Sequence, residues 1–278
     1  MTDRATPKLP EPLLGPVVDT HCHMDIAFDS ADQSHLVTPE QAIAQAAAAG
    51  VSHIIQVGCD VESSHWAAQA ALDYTNVWAT VALHPNEAAR VEDLHGSLAV
   101  IRELAALPQV RGIGETGLDY FRTTPDKQHL QHESFRAHID MCNEFGKPLI
   151  IHDRDAHEDV IATLLNYGAP EVVVFHCFSG DAEMAKVCAD NGWYTSISGV
   201  VTFNNAQSLR DAVVVMPSEL LLVETDSPFL TPAPNRGMPN SSALMPYTVR
   251  TMAQVRSVSE IELCQQLFLN ASKVFGPF

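Results

Sequence analysis

The sequence predicts an α/β fold, a single (β/α)8 barrel of the TIM type with a metal site at the carboxyl ends of its strands. Three observations predict it. Eight short, β-branched apolar runs alternate with longer segments of helical period. Most of these runs are near-continuously apolar, as expected of parallel strands buried on both faces. Five of the eight end in residues that bind metals well, and in a parallel barrel all strand ends meet at one rim. An open doubly wound sheet has the same alternation, but no phosphate-binding glycine fingerprint follows the first run.

Residues 1–16 are polar and proline-bearing and read as an N-terminal extension, partly flexible, ahead of one barrel domain at 17–278. The first strand is expected at Val17–Thr20. A helix over Pro39–Ala49 opens on proline and closes on Gly50, leading to the second strand at His53–Val57. The helix Ser63–Asp73 feeds the third, Val77–Leu83, and the fourth follows at Val110–Gly114. A long helix over Thr124–Phe145 closes on Gly146 before the fifth strand, Pro148–Ile151. Gly168 precedes the sixth, Val172–Phe175. The helix Asp181–Asn191 closes on Gly192 before the seventh, Trp193–Ile197, and the eighth is Leu220–Val223. Pro228–Pro239 reads as an ordered but irregular loop. No linker, tandem repeat or low-complexity segment breaks the alternation, and 278 residues suit one barrel.

Lys and Arg total 16 against 34 Asp and Glu, a net charge of −18. That balance argues against a protein that grips duplex DNA non-specifically, because such binding draws on Lys and Arg neutralising phosphates. It leaves open an enzyme that meets phosphate locally, through bound metal. The six cysteines form no Cys-x-x-Cys pair, and a chain of this size needs no disulfide staple, so free thiols in a reducing cytoplasm are expected. The first residues lack the basic start and apolar core of a secretory signal, and no apolar run reaches bilayer length. A cytoplasmic protein without a membrane partner is the expectation.

The site residues follow from the strand ends. VVDTHCH supplies His21 and His23, VRGIGE supplies Glu115, PLIIH supplies His152, VVVFH supplies His176 and LLVETD supplies Asp226. Residues i and i+2 of a strand share a face, so both imidazoles of His-x-His can reach one ion while Cys22 points away. Four histidines, one glutamate and one aspartate suit two divalent cations. Glu115 is the candidate bridge. Asp226 could hold one ion and also accept a proton from the attacking water. Taken singly, each residue has a plainer reading: His-x-His as core or cap, Glu115 as a helix-start charge, Asp226 as a turn initiator. Together they do not, because buried strands rarely end in unpartnered ionisable groups.

Around this set, His84 in VALHPNEA is a candidate substrate contact or support for a ligand, with a turn histidine before Pro85 as the alternative. Arg154 and Arg236 are candidates to hold a substrate phosphate or carboxylate, with a local salt bridge as the alternative. Phe178 and Ser179 stand just past a ligand, either at the substrate or packed in the rim. His129, His132 and His138 fall on a polar helix and are expected in solvent, and His157 reads as a helix-start histidine.

At DTHCHMD, VALHPNEA, GETGLDYF, KPLIIHDRDA, HCFSG and ETDSPFLTP, followed by NRG, the sequence resembles the TatD family of metal-dependent deoxyribonucleases, within the amidohydrolase superfamily. The blocks run in family order from Asp19 to about Gly237, nearly the whole chain. The resemblance implies that His21 and His23 with Asp226 hold one ion, that Glu115 bridges, and that His152 with His176 hold the second. It also implies hydrolysis of DNA with magnesium or another divalent ion, 3′-to-5′ exonuclease-like and often on single strands. The same family includes members described as D-aminoacyl-tRNA deacylases. Departures are Thr116, where the family usually carries a bulky apolar residue, and Asn240, Ser241 and Ser242, where Asn-Glu-Pro is usual.

The expected function is therefore a metal-dependent phosphodiesterase acting on single-stranded or terminal DNA, with two ions drawn from Mg, Mn, Zn, Fe or Ni. An ester or amide hydrolase, such as a deacylase, is the alternative, and a non-catalytic metal-binding protein the remote one.

Overall fold

A computed structural model describes residues 7–27 and 37–278. The chain forms one sheet of eight parallel strands in sequence order: β1 (Val17–Cys22), β2 (Val51–Val57), β3 (Val77–Val81), β4 (Val110–Asp119), β5 (Leu149–Arg154), β6 (Val173–Phe175), β7 (Tyr194–Ile197) and β8 (Leu221–Val223). The barrel closes between β1 and the segment after β8. There the Asp226 amide donates to His21 O at 2.9 Å and the His23 amide to Ser227 O at 2.8 Å. A buried clasp reinforces the seam: Asp19 accepts from the Thr225 amide (2.9 Å), Thr225 Oγ1 (2.6 Å) and Ser242 Oγ (2.7 Å). Burial, only partly offset by these donors, pushes the Asp19 carboxyl up to about 7.

Ten helices ring the described barrel: α1 (Pro39–Ala48), α2 (Val61–Asp73), the one-turn α3 (Pro85–Ala88), α4 (Leu94–Ala105), α5 (Gln128–Phe145), α6 (His157–Thr163), α7 (Ala182–Asp190), α8 (Gln207–Val215), α9 (Met245–Arg256) and α10 (Glu260–Phe275). Their starts are set locally. Thr38 and Gln41 form a reciprocal capping box on α1, and Asp60 with Ser63 forms another on α2. Val18, Ile55, Ile150, Val174 and Leu222, from five strands, pack with Phe275 of α10 into an apolar cluster, so the opposite rim is left for polar chemistry.

The expected strands and helices are all present, with shifted bounds. β4 runs to Asp119 and β5 to Arg154, beyond the expected Gly114 and Ile151, because pairing continues past the first polar residues: Gly117 pairs with His152 and Asp119 with Arg154. Gly117 makes that approach possible. At φ +138 its backbone lies so close to β5 that an added Cβ would stand 2.2 Å from His152 O. Pro125 turns the expected start of the long helix into a 3-10 turn, and α5 begins at Gln128. His138 corrects the solvent expectation for its helix: it is fully buried, its Nε2 accepting from the Leu83 amide at 3.1 Å and its Nδ1 2.7 Å from Ser134 O. His129 is exposed and His132 half-buried. The flexibility expected of the N-terminal extension falls in part on residues 1–6, outside the described residues; Lys8 exchanges hydrogen bonds with Asn235 at 2.9 and 3.1 Å. Among the described residues no helix is long and apolar enough to cross a membrane.

Candidate metal centre

The six residues drawn from five strand ends meet around one carboxylate. Glu115 Oε1 lies 3.4 Å from His21 Nε2 and 3.5 Å from His23 Nε2. Its other oxygen lies 2.9 Å from His176 Nε2 and 3.0 Å from His152 Nδ1. Asp226 Oδ1 closes the first group, 3.5 Å from His23 Nε2 and 3.9 Å from His21 Nε2. Glu115 thus divides the histidines into two sets, one per oxygen.

Local backbone aims these groups. Sheet register is irregular between Asp19 and Cys22 and between Ile113 and Thr116, the stretches of β1 and β4 that carry His21 and Glu115. Asp226 sits at φ +53 and Cys177, beside His176, at φ +42, left-handed conformations that side chains other than glycine rarely adopt. Such strain gathers where a fold must hold functional groups in place.

The donor set fits divalent cations. His21 is fully buried, yet neither ring nitrogen has a hydrogen-bond partner, and its ring stacks 3.9 Å from that of His176. His176 Nε2 and His152 Nδ1 approach to 3.4 Å. Packing unpartnered nitrogens and carboxylate oxygens together in low dielectric is costly without a cation among them. Imidazole and carboxylate donors match borderline and hard ions. Burial alone would push the Glu115 carboxyl up, but the surrounding histidines, His176 foremost, outweigh it and hold the group well below its usual range. Asp226 is likewise lowered, with burial overcome by His23 and His21. Both are charged and ready to ligate at neutral pH.

A further tier surrounds these six and was not singled out in the sequence. Asp119 Oδ2 lies 3.3 Å from His152 Nε2 and accepts from Asn86 Nδ2 at 3.0 Å. Glu224 Oε1 lies 3.3 Å from His176 Nδ1 and accepts from the Cys177 amide at 2.7 Å. Strand alternation carried a signal for both: Asp119 follows Glu115 by four residues, and Glu224 precedes Asp226 by two. Cys59, also in contact with Glu115, had no such signal.

His84 stands beside the centre. Its Nε2 is 3.7 Å from Glu115, and its Nδ1 accepts from the Asn86 amide at 3.0 Å, capping α3. Burial, then the neighbouring His152, pulls its imidazole down to about 3, so it is neutral. Arg154 lines the cavity above the centre, its guanidinium 3.9 Å over the Phe121 ring. Arg236 does not join them: it stacks 3.9 Å over Phe203, and the walls of the cavity do not include it. Phe178 is packed in the core, while Ser179 reaches the cavity. His157 begins α6, with Nδ1 2.7 Å from Asp153. In the departing loop, Asn240 Nδ2 donates to Thr225 O at 2.9 Å and Phe229 O at 2.7 Å, so this segment braces the Asp226 turn.

The family model described as TatD related DNase matches residues 18–276. An uncharacterized metal-dependent hydrolase TatD of Mycobacterium tuberculosis is 43% identical over 94% of this chain and 98% of its own. The uncharacterized metal-dependent hydrolase YcfH of Escherichia coli K12 is 38% identical over 93% and 95%. Among solved structures, the TatD homologue YJJV of Escherichia coli aligns with a TM-score of 0.84 at 27% identity, covering 93% of this chain and 97% of that one.

Proposed function

Because this chain belongs to the TatD family of metal-dependent hydrolases, we propose that it cleaves phosphodiester bonds at the end of single-stranded DNA, in the 3′-to-5′ direction, at a two-ion centre. His21, His23 and Asp226 would hold one ion and His152 and His176 the other, with Glu115 shared between the two sets. Bound divalent ions supply Lewis acidity to the phosphoryl group and acidify the attacking water. Asp226 takes the proton from that water, its carboxylate kept ionised by His23 and His21 against the effect of burial.

The observation that carries this reading is the asymmetry of the cavity, about 610 Å³, above the centre. Arg90, Arg122 and Arg154, from the segments at the ends of β3, β4 and β5, line one side together with Glu87, Asp119 and Asp153, and Arg90 pairs with Glu87 at 2.7 Å. Ile26, Val200, Phe229 and Leu230, from the segments after β1, β7 and β8, line the side across the barrel. A polar wall that offers Arg122 and Arg154, facing an apolar one, suits a chain with phosphates along one edge and bases along the other. All six cysteines are free, which supports a reducing, cytoplasmic setting.

The test is release of mononucleotides from single-stranded DNA labelled at either end, with magnesium or manganese, for wild type and Glu115→Ala. Metal-dependent release that the variant loses supports the reading. Folded, metal-loaded protein that releases no nucleotide but hydrolyses ester or aminoacyl substrates would overturn it in favour of acyl chemistry at the same centre.

A further inference from the structure

Cys59 brings sulfur to a centre otherwise built from nitrogen and oxygen. It lies two residues past β2, and its backbone is fixed on both sides. The Cys59 amide donates to Ser63 Oγ at 2.9 Å, and its carbonyl accepts from the His84 amide at 2.7 Å. Gly58 lets this turn form, since an added Cβ would stand 2.5 Å from Ser64. The thiol is thereby held 3.4 Å from Glu115 Oε1 and 3.9 Å from His23 Nδ1, the ring nitrogen beside Val57 O rather than the Nε2 that faces Asp226. Donor atoms of His23, Cys59 and Glu115 lie within 4.8 Å of one another.

The cysteine does not stand alone there. The same Glu115 oxygen faces His21 Nε2 at 3.4 Å, and that fully buried imidazole has no hydrogen-bond partner on either nitrogen. An unpartnered nitrogen, a shared carboxylate oxygen and a thiol therefore converge from three strand ends.

We propose that Cys59 is a sulfur donor to the ion held by His21, His23 and Asp226, and that it biases this position toward thiophilic divalent ions (zinc, cobalt, cadmium) over magnesium. Ligation exchanges the S–H proton for the ion, and the proton passes to solvent. Soft thiolate binds such ions far better than it binds magnesium, so one sulfur in a nitrogen and oxygen set changes selectivity more than total affinity for hard ions. The inference rests on the metal centre proposed above and not on DNA as substrate.

The experiment is a titration of the metal-free full-length protein with Co(II), followed by near-ultraviolet absorption, for wild type, Cys59→Ser, Cys59→Ala and Cys177→Ser. Wild type and Cys177→Ser should show sulfur-to-cobalt charge transfer, and both Cys59 variants should lose it while still binding cobalt. Competition binding should show zinc and cadmium weakened about tenfold or more in the Cys59 variants, with manganese changed far less. Absence of the charge-transfer band from wild type overturns the proposal whatever the variants do. So does a band lost in Cys177→Ser but kept in Cys59→Ser. If cobalt binding is abolished by Glu115→Ala while wild type shows no sulfur band, the metal centre stands and the role of Cys59 falls.

Discussion

Glu224 and His176 face each other in the barrel wall, with carboxylate Oε1 3.3 Å from ring Nδ1 on the side of the imidazole away from Glu115. The carboxylate is fully buried, and its other oxygen has no hydrogen-bond partner. With an ion bound, an acceptor there would favour the tautomer protonated at Nδ1 and leave Nε2 as the donor facing the centre.

Glu224→Gln should therefore weaken divalent-ion affinity by about 10–100-fold, the usual loss when the partner of a ligating histidine is removed. The glutamine amide can present a donor where Nδ1–H needs an acceptor. Thermal stability of the metal-free protein should fall, because the variant removes one partner of a buried pair and leaves His176 without the carboxylate that favours its charged form. Competition against a chromogenic chelator, with a melting curve of the metal-free variant, checks both. Unchanged affinity would mean that Glu224 does not set the tautomer.

Gly117→Ala tests how tightly β4 and β5 must pack to place His152. Its Cβ would meet His152 O at 2.2 Å, so one strand must move, and we expect a loss of about 1–3 kcal/mol together with weakened metal binding. Gly146→Ala is the control. Its φ is also positive, at +62, but nothing lies within 4 Å of an added Cβ. It should cost about 1 kcal/mol of backbone strain and leave metal binding intact. Urea denaturation and metal titration of the two variants separate collision from conformational strain.

What the sequence made legible is the barrel and the six convergent residues, because strand period, glycine stops and ionisable strand ends are local signals. His138 was misread for a physical reason: α5 is polar overall, and only tertiary packing shows that this face lies under Leu83 rather than in water. Cys59 was invisible because no spacing rule links a turn after β2 to Glu115 on β4. Arg236 looked equivalent to Arg154 along the chain, yet loop geometry turns it onto Phe203. Asp119 and Glu224 were readable in principle, since both lie an even number of residues from a candidate ligand in the same strand or at its end.

His138 predicts an acid-sensitive component of stability. Burial holds its imidazole down to about 4, against an ordinary value near 6.5 in the unfolded chain. Below 6.5 the unfolded state takes up a proton that the folded state refuses. Stability from this residue is thus complete above about 6.5 and declines as pH falls toward 4, by up to about 3 kcal/mol. In His138→Gln the titrating group is absent, so its denaturation free energy should fall less steeply than wild type between pH 6.5 and 4. Parallel pH dependences for the two proteins would show that His138 does not carry this component.

The facing walls of the cavity predict separable contributions to substrate affinity. If single-stranded DNA is the substrate, Arg154→Ala, which removes a guanidinium from the cavity wall, should raise KM about tenfold with kcat little changed. Phe229→Ala removes a ring that is 41% exposed on the apolar wall, a stacking surface worth about 1–3 kcal/mol per base. The two differ in their response to salt: the KM of Arg154→Ala should depend less steeply on ionic strength than that of wild type, whereas Phe229→Ala should keep the wild-type slope. Because the residues stand on opposite walls, the double variant should show the product of the single effects. Arg236→Ala should leave KM and its salt slope unchanged, since that side chain rests on Phe203 outside the cavity. An Arg236→Ala variant as impaired as Arg154→Ala would mean that phosphate is held by net positive charge around the rim, and the two-walled reading would fall.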